Sequence, residues 1–252
     1  MNRPHQAIID DQFGPRASAY VTSLVHSSGA DLDAIEALAQ EVRPPCALDL
    51  GAGGGHVAYR LAVHARRVVA ADISARMLGA VAETAAGRRL ANVETRVAAA
   101  ERLPFANDAF DLLASRFSAH HWADLDAGLA EARRVLRPGA PAVFVDIVSP
   151  GSPALDTHLQ AVELLRDTSH VRDYALPEWI SALGRAGFAM RRLTTWRVAI
   201  DFASWIERMA TPAPAVAAIQ GLQAAASDAT RAHFAILADG SFELDAAMIE
   251  AV

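Results

Sequence analysis

The stretch Leu48-Asp49-Leu50-Gly51-Ala52-Gly53-Gly54-Gly55-His56 decides how the rest of the chain is read. It leaves an apolar run that begins at Cys46, short enough for a buried strand, and opens a helix-periodic segment at His56. Between the two, glycines at 51, 53 and 55 leave no Cβ in the way of a ligand that approaches the backbone. The N–H groups at the start of the following helix point to the same place. Such a turn holds a pyrophosphate when it is spaced G-x-G-x-x-G. Here the sixth position is His56, so the spacing is G-x-G-x-G, and an acid, Asp49, stands just before the first glycine. That acid would repel a pyrophosphate and suits an ammonium group.

Outward from this turn, apolar runs alternate with helical patterns. Residues 46–50, 67–71, 93–97, 110–115 and 141–148 read as strands, and 56–64, 75–86 and 124–136 as helices, the last stopped by Pro138-Gly139. This alternation predicts βαβ units on a parallel sheet. Upstream, residues 13–40 read as helical with a break at Ser27-Ser28-Gly29, followed by Pro44-Pro45. Downstream, 152–168 and 177–186 read as helices, the second ended by Gly187, and the polar, aromatic residues 169–175 lack periodicity. Residues 189–200 alternate as a strand. Phe202, Trp205 and Met209 share a helix face, 211–225 is alanine-rich with weak patterning, and 241–244 reads as a short last strand. The expected fold is α/β: a Rossmann-like, seven-stranded, mostly parallel sheet with an antiparallel edge hairpin and a helical N-terminal and insert cap. The expected division is an N-terminal cap over residues 1–41, a cofactor-binding core over 42–150, and substrate-cap helices with the C-terminal hairpin over 151–252 of the same domain.

The second strand ends in Ala70-Ala71-Asp72-Ile73. A carboxylate at that carboxyl end can accept both hydroxyl protons of a ribose. Both NAD and S-adenosyl-L-methionine carry such a ribose, so the glycine spacing discriminates, and it favours the sulfonium cofactor, with S-adenosyl-L-homocysteine as product. An NAD(P)-dependent oxidoreductase is the first rival, but the chain has no lysine for a Tyr/Lys catalytic pair. A non-catalytic cofactor-binding protein is the second.

Composition narrows the partners. The 252 residues carry a net charge of −6 with no basic run longer than an arginine doublet, so no nucleic-acid partner is expected. One cysteine, Cys46, excludes an internal disulfide and suits a reducing compartment. Residues 1–11 lack an apolar signal core, and no apolar run is long enough to span a bilayer. A cytoplasmic monomer or homodimer acting on a small molecule is expected. His120 and His121 are adjacent, and on a helix their side chains would diverge by about 100°, so no metal site is expected. No G-x-S-x-G elbow is present.

Four strings in order, LDLGAGGG (48–55), AADISARML (70–78), ERLPFANDAFDLL (101–113) and ARRVLRPGA (132–140), resemble the class I methyltransferases of the type 11 group, which includes the ubiquinone/menaquinone-biosynthesis C-methyltransferases. The strings SRFSAHHW (115–122), LRDTSHVRDY (165–174) and QFGPRASAY (12–20) fit a narrower bacterial subgroup. The resemblance implies that Gly51, Ala52 and Gly53 approach the methionine moiety of S-adenosyl-L-methionine, with Asp49 near its amino group. It implies that Asp72 holds the ribose, that Ile73 and Met77 pack on the adenine, and that Ala100 and Glu101 flank the adenine edge through backbone groups. Relatives often carry an acid where this chain has Ala99, which removes that side-chain contact to adenine. Tyr20, one helical turn from Arg16, would reach the methionine end from an N-terminal helix. Arg116 is counted with the cofactor contacts.

In open α/β sheets ligands bind beyond the carboxyl ends of the strands, which places residues 115–122 and 146–149 at the methyl acceptor. Methyl transfer is an in-line displacement from an activated donor, so the protein mainly orients the acceptor and excludes water. A base is needed only for a hydroxyl, a protonated amine or a carbon acid. His121 is the candidate base, and His120, His170 and Tyr174 are candidate acceptor contacts. Trp179, Trp196 and Trp205 either wall an aromatic pocket or pack in the core. The expected activity is methyl transfer to C, N or O of a small, aromatic or quinone-like metabolite.

Overall fold

The segment Cys46–Leu50 is apolar because it lies in the middle of a sheet and is covered on both sides. In the computed structural model, which describes residues 5–16 and 27–252, the chain runs through α1 (His5–Phe13), a 3-10 turn (Gly14–Arg16), α2 (Ala30–Val42), β1 (Cys46–Leu50) and α3 (His56–Ala62). It continues through β2 (Arg67–Asp72), α4 (Ala75–Gly87), β3 (Val93–Val97), β4 (Leu112–Arg116), a 3-10 turn (Ala119–His121), α5 (Leu125–Val135) and β5 (Ala142–Ile147). The last part holds α6 (Pro153–Arg166), α7 (Leu176–Ala186), β6 (Met190–Ile200), α8 (Phe202–Met209), α9 (Ala213–Ala224), α10 (Asp228–His233) and β7 (Phe242–Ala251).

The seven strands order as β3-β2-β1-β4-β5-β7-β6, parallel from β3 to β5, with β7 antiparallel to both β5 and β6. After β1 the chain builds outward to β2 and β3, then returns to place β4 on the other side of β1. The strand order therefore reverses between β1 and β4, and a crevice opens at their carboxyl ends, the place where open α/β sheets bind ligands. Strand alternation sends Leu48 and Leu50 into the core layer formed by Leu129, Ala132 and Val135 of α5 with Phe144 and Trp179. It sends Ala47 into the opposite layer with Leu32, Ile35, Leu61 and Val81. A third cluster joins Leu159 and Val162 of α6 to Phe202, Trp205, Phe234, Phe242 and Leu244.

Three expectations change at the ends of the chain. The first helix starts at His5 rather than at residue 13. The alanine-rich residues 213–224 form a helix that opens after Pro212. The last strand spans ten residues, not four, because the run Asp245-Ala246-Ala247, poor in β-formers, is held as strand by partners on both sides. Tyr20 lies outside the described residues. No helix among the described residues is long and apolar enough to cross a membrane.

Candidate functional site

The carboxyl end of β1 turns sharply enough that only glycine fits. Gly51 has φ +73°, and a Cβ built there would lie 1.8 Å from the Ser118 Oγ of the loop after β4. The Gly51 and Ala52 N–H groups both donate to the carbonyl of Ala71, at 2.8 and 2.9 Å, which ties the turn to the end of β2. At that end the Asp72 carboxylate accepts from the Gly53 N–H at 2.8 Å and from the Ser74 N–H at 2.9 Å. Two successive strand ends thus face one cavity of about 370 Å³.

Asp49, Gly51, Ala52, Gly53, Asp72, Ile73, Met77, Ala100, Glu101 and Arg116, all expected at a cofactor, line this cavity together. Asp49 is 1 % exposed and accepts from the Ala58 N–H at 2.9 Å. Burial pushes its carboxyl up to about 7, against the Ala58 hydrogen bond, and the charge of Asp72 adds to the rise. Burial likewise raises Asp72, while the N–H groups of Ser74, Gly53 and Ile73 oppose it. Glu101 turns its carboxylate to the Ala123 N–H at 2.7 Å, which leaves its backbone toward the cavity lining. Arg116 is held in a buried ion pair with Asp31 of α2, at side-chain exposures of 8 % and 7 %.

A second, larger cavity of about 700 Å³ shares Phe13, Arg116, Phe117 and His121 with the first. His120, His170, Trp196 and Trp205 line only this second space. Tyr174 lines neither cavity; its ring packs edge-on against Trp179, 6.4 Å away, which is itself core. His121 stands between the two spaces. Its Nδ1 lies 3.1 Å from the carbonyl of Ser169, an atom that can only accept, so Nδ1 carries the proton and Nε2 keeps its lone pair. Burial, with the neighbouring charge of His120, pulls the His121 ring down to about 4. His120 behaves oppositely. Burial disfavours its charge, but Asp146, 2.6 Å from its Nδ1, outweighs that and raises it to about 9. The two rings do not diverge as on a helix: in the 3-10 turn their centroids are 4.1 Å apart. His170, buried against the Gln160 Oε1 at 2.8 Å, is pulled down to about 3 by desolvation and by the two neighbouring histidines.

An N-terminal cap was expected, with Tyr20 as its contact; the residues of α1 that roof the first cavity were not. His5, Gln6, Ile9 and Phe13 of α1 line the first cavity. The helix is pinned at one end by the His5 Nε2 contact with the His121 carbonyl at 3.0 Å and farther along by Asp10, which accepts from the Ser74 hydroxyl. The Phe13 ring sits edge-on to His121 at 5.1 Å. The spacing of residues 5, 9 and 13 on one helix face was the available signal. Also missed on the second cavity were Glu163 of α6 and, on the loop after that helix, Asp167 and Asp173; the Val171 and Arg172 N–H groups tie this loop to the site by donating to the His120 carbonyl, at 2.8 and 3.2 Å.

The first cavity fits a cationic nucleoside. Its glycine turn at the end of β1 and the Asp72 carboxylate at the end of β2 line the same space, and the two carboxylates, Asp49 and Asp72, would oppose a diphosphate. Comparison with known proteins points the same way. A family model described as a methyltransferase domain matches residues 48–144. The chain is 45 % identical over 197 residues to an uncharacterized protein, YafE, of Escherichia coli K12, covering 78 % of this chain and 95 % of that one. It is 32 % identical to the uncharacterized methyltransferase YcgJ of Bacillus subtilis, covering 80 % and 79 %. The YcgJ crystal structure superposes with a TM-score of 0.84 over 88 % of this chain and 97 % of the other. The ubiquinone/menaquinone biosynthesis C-methyltransferase UbiE of Brucella anthropi is 35 % identical over 161 residues, covering 60 % and 61 %.

Proposed function

This chain belongs to the methyltransferase domain family, and from that premise we propose that it moves the methyl group of S-adenosyl-L-methionine to C, N or O of a small metabolite with a flat apolar part. The observation that carries the reading is the shared wall. One cavity has the glycine turn and the Asp49/Asp72 pair, and it meets a second cavity at Phe13, Phe117, Arg116 and His121. When bound, the cofactor supplies a methyl group already activated by its sulfonium charge.

The residues of this chain supply position and dryness. Asp72 accepts the ribose hydroxyls, and Asp49 faces the amino group, whose positive charge favours the ionised carboxylate over the buried acid. Ile73 and Met77 pack on the adenine, with the backbone of Ala100 and Glu101 at its edge. Helix α1 roofs the cofactor space and excludes water. The acceptor lies in the larger cavity against Trp196 and Trp205, with His120 and His170 deeper in. His121 Nε2, which keeps its lone pair and has the Asp167 carboxylate 3.9 Å away to steady the charge it would gain, takes the proton of an acceptor hydroxyl, protonated amine or carbon acid. Residues 1–41 act as cap, 42–150 as cofactor core and 151–252 as acceptor wall. The resemblance to UbiE, a ubiquinone/menaquinone biosynthesis C-methyltransferase, favours a quinone-like or aromatic acceptor.

Two measurements test this. Calorimetric titration with S-adenosylhomocysteine and with NADH should give binding of the first only; binding of NADH alone would overturn the assignment. Incubation with metabolite extracts and methyl-labelled cofactor should yield a product one methyl group heavier. His121→Ala should slow its formation by about 10²–10⁴-fold, the scale of general-base catalysis, while S-adenosylhomocysteine binding, measured alongside because His121 also lines the cofactor cavity, should fall by far less.

A further inference from the structure

The second cavity carries a cluster that the methyl-transfer reading does not use. His120, Asp146 and Asp173 come from three separate segments, the turn after β4, the end of β5 and the loop between α6 and α7, yet one donor atom from each lies within 4.8 Å of the other two. The site is built rather than loose. Asp146 is 3 % exposed; its Oδ1 meets His120 Nδ1 at 2.6 Å and the Ile147 N–H at 2.9 Å, and its Oδ2 accepts the His120 N–H at 3.2 Å. Asp173 is 2 % exposed and lines the cavity, and its Oδ2 is buried with no hydrogen-bond partner among the described residues. His170 Nε2 lies 4.0 Å away, and that atom is engaged by Gln160 Oε1 at 2.8 Å.

A buried carboxylate oxygen without a donor is costly, and a proton or a cation must answer it. The surroundings favour a cation. Glu163 and Asp167 line the same cavity, offset by Arg166, whose Nη1 is 3.7 Å from Glu163, and by Arg208. Ions of the magnesium, manganese and calcium class hold ligands at about 2.0–2.6 Å, which puts donor atoms on one ion roughly 3–5 Å apart; the cluster lies within that reach, and His120 Nδ1 and Asp146 Oδ1, 2.6 Å apart on a shared proton, would part slightly to admit the ion. One imidazole with two carboxylates is a donor set for a hard to borderline divalent ion, and three protein ligands leave positions open for water or for acceptor oxygens.

We propose that His120, Asp146 and Asp173 form a divalent-cation site facing the acceptor cavity. The ion replaces the proton shared by His120 and Asp146 and satisfies the Asp173 oxygen. Its open positions lie on the cavity side, next to His121, where an acceptor bearing oxygen donors would be oriented. The site itself does not depend on the methyl-transfer reading; its use in orienting an acceptor does.

The test is a titration of the EDTA-treated full chain with Mn²⁺, reading free Mn²⁺ by electron paramagnetic resonance. One site per chain is expected. Asp173→Asn and His120→Gln should each weaken it by at least about tenfold, the lower end of what loss of metal-site partners costs. For Asp173→Asn, affinity for S-adenosylhomocysteine should stay as in the parent chain and the circular-dichroism melting temperature should be no lower, since the amide removes a buried carboxylate, which shows that the loss is not unfolding. No Mn²⁺ binding by the parent chain below millimolar concentration overturns the proposal, as does unchanged affinity in a folded Asp173→Asn variant. Failure of the parent chain to bind S-adenosylhomocysteine would instead count against the methyl-transfer reading and leaves the Mn²⁺ stoichiometry readable on its own.

Discussion

Replacing Asp49 by asparagine should make the ligand-free protein more stable, and the gain should grow with pH. Asp49 is 1 % exposed, and burial holds its carboxyl at about 7 in the folded chain, against about 3.9 in an unfolded one. Because the folded-state value is raised, the native protein binds this proton more tightly. The group therefore does no harm below pH 4, and it costs progressively more stability as pH rises to 7, where the penalty levels off. At about 1.4 kcal/mol per unit, the wild-type penalty is near 1.5 kcal/mol at pH 5 and near 4 kcal/mol at pH 8. Asparagine keeps an acceptor for the Ala58 N–H and has no charge to bury. Whatever fixed cost the amide brings is the same at both pH values and cancels. Urea denaturation of both proteins without ligand should show the stability difference, variant minus wild type, increasing by about 2.5 kcal/mol between pH 5 and pH 8. A difference that stays constant within about 0.5 kcal/mol would refute the account of Asp49 as a destabilised carboxylate kept for a cationic ligand. The same variant should bind S-adenosylhomocysteine more weakly by about 1.5–3 kcal/mol at pH 8, so stability and binding move in opposite directions.

Asp72→Ala should weaken S-adenosylhomocysteine by about 1.5–3 kcal/mol in calorimetry, the scale of hydrogen bonds to a charged group, and an unchanged affinity would remove Asp72 from the ribose. Gly51→Ala should destabilise the fold and abolish cofactor binding, since Gly51 sits at φ +73° with the Ser118 Oγ 1.8 Å from a new Cβ. Adding Ser118→Gly should relieve the clash and leave the left-handed backbone cost of about 1–3 kcal/mol together with the lost Trp122 Nε1 hydrogen bond to Ser118 Oγ, read as partial recovery of the melting temperature.

The order of strands and helices from β1 to β5 was legible because each βαβ unit is local: an apolar run of five or six residues, a turn, a periodic helix. So was the meeting of the glycine turn and Asp72 at one cavity, since they stand at two successive strand ends whose adjacency follows from that topology alone. The second cavity was not legible. His121 meets Ser169, His120 meets Asp146, and Asp173 joins them across separations of 48, 26 and 53 positions, respectively. No periodicity encodes such separations. The stretch 169–175 reads as polar and irregular because its order comes from hydrogen bonds to the His120 carbonyl rather than from its own pattern. β7 was cut short for a related reason: its alanines carry little strand preference, and pairing with β5 and β6 decides their conformation. Sequence by itself determined the sheet, the glycine turn and the two acids, because those depend on neighbours along the chain. Only the tertiary structure decided which carboxylates face the histidines, which ring keeps a lone pair and how the N-terminal helix closes the roof, because burial and charge pairing depend on neighbours in space.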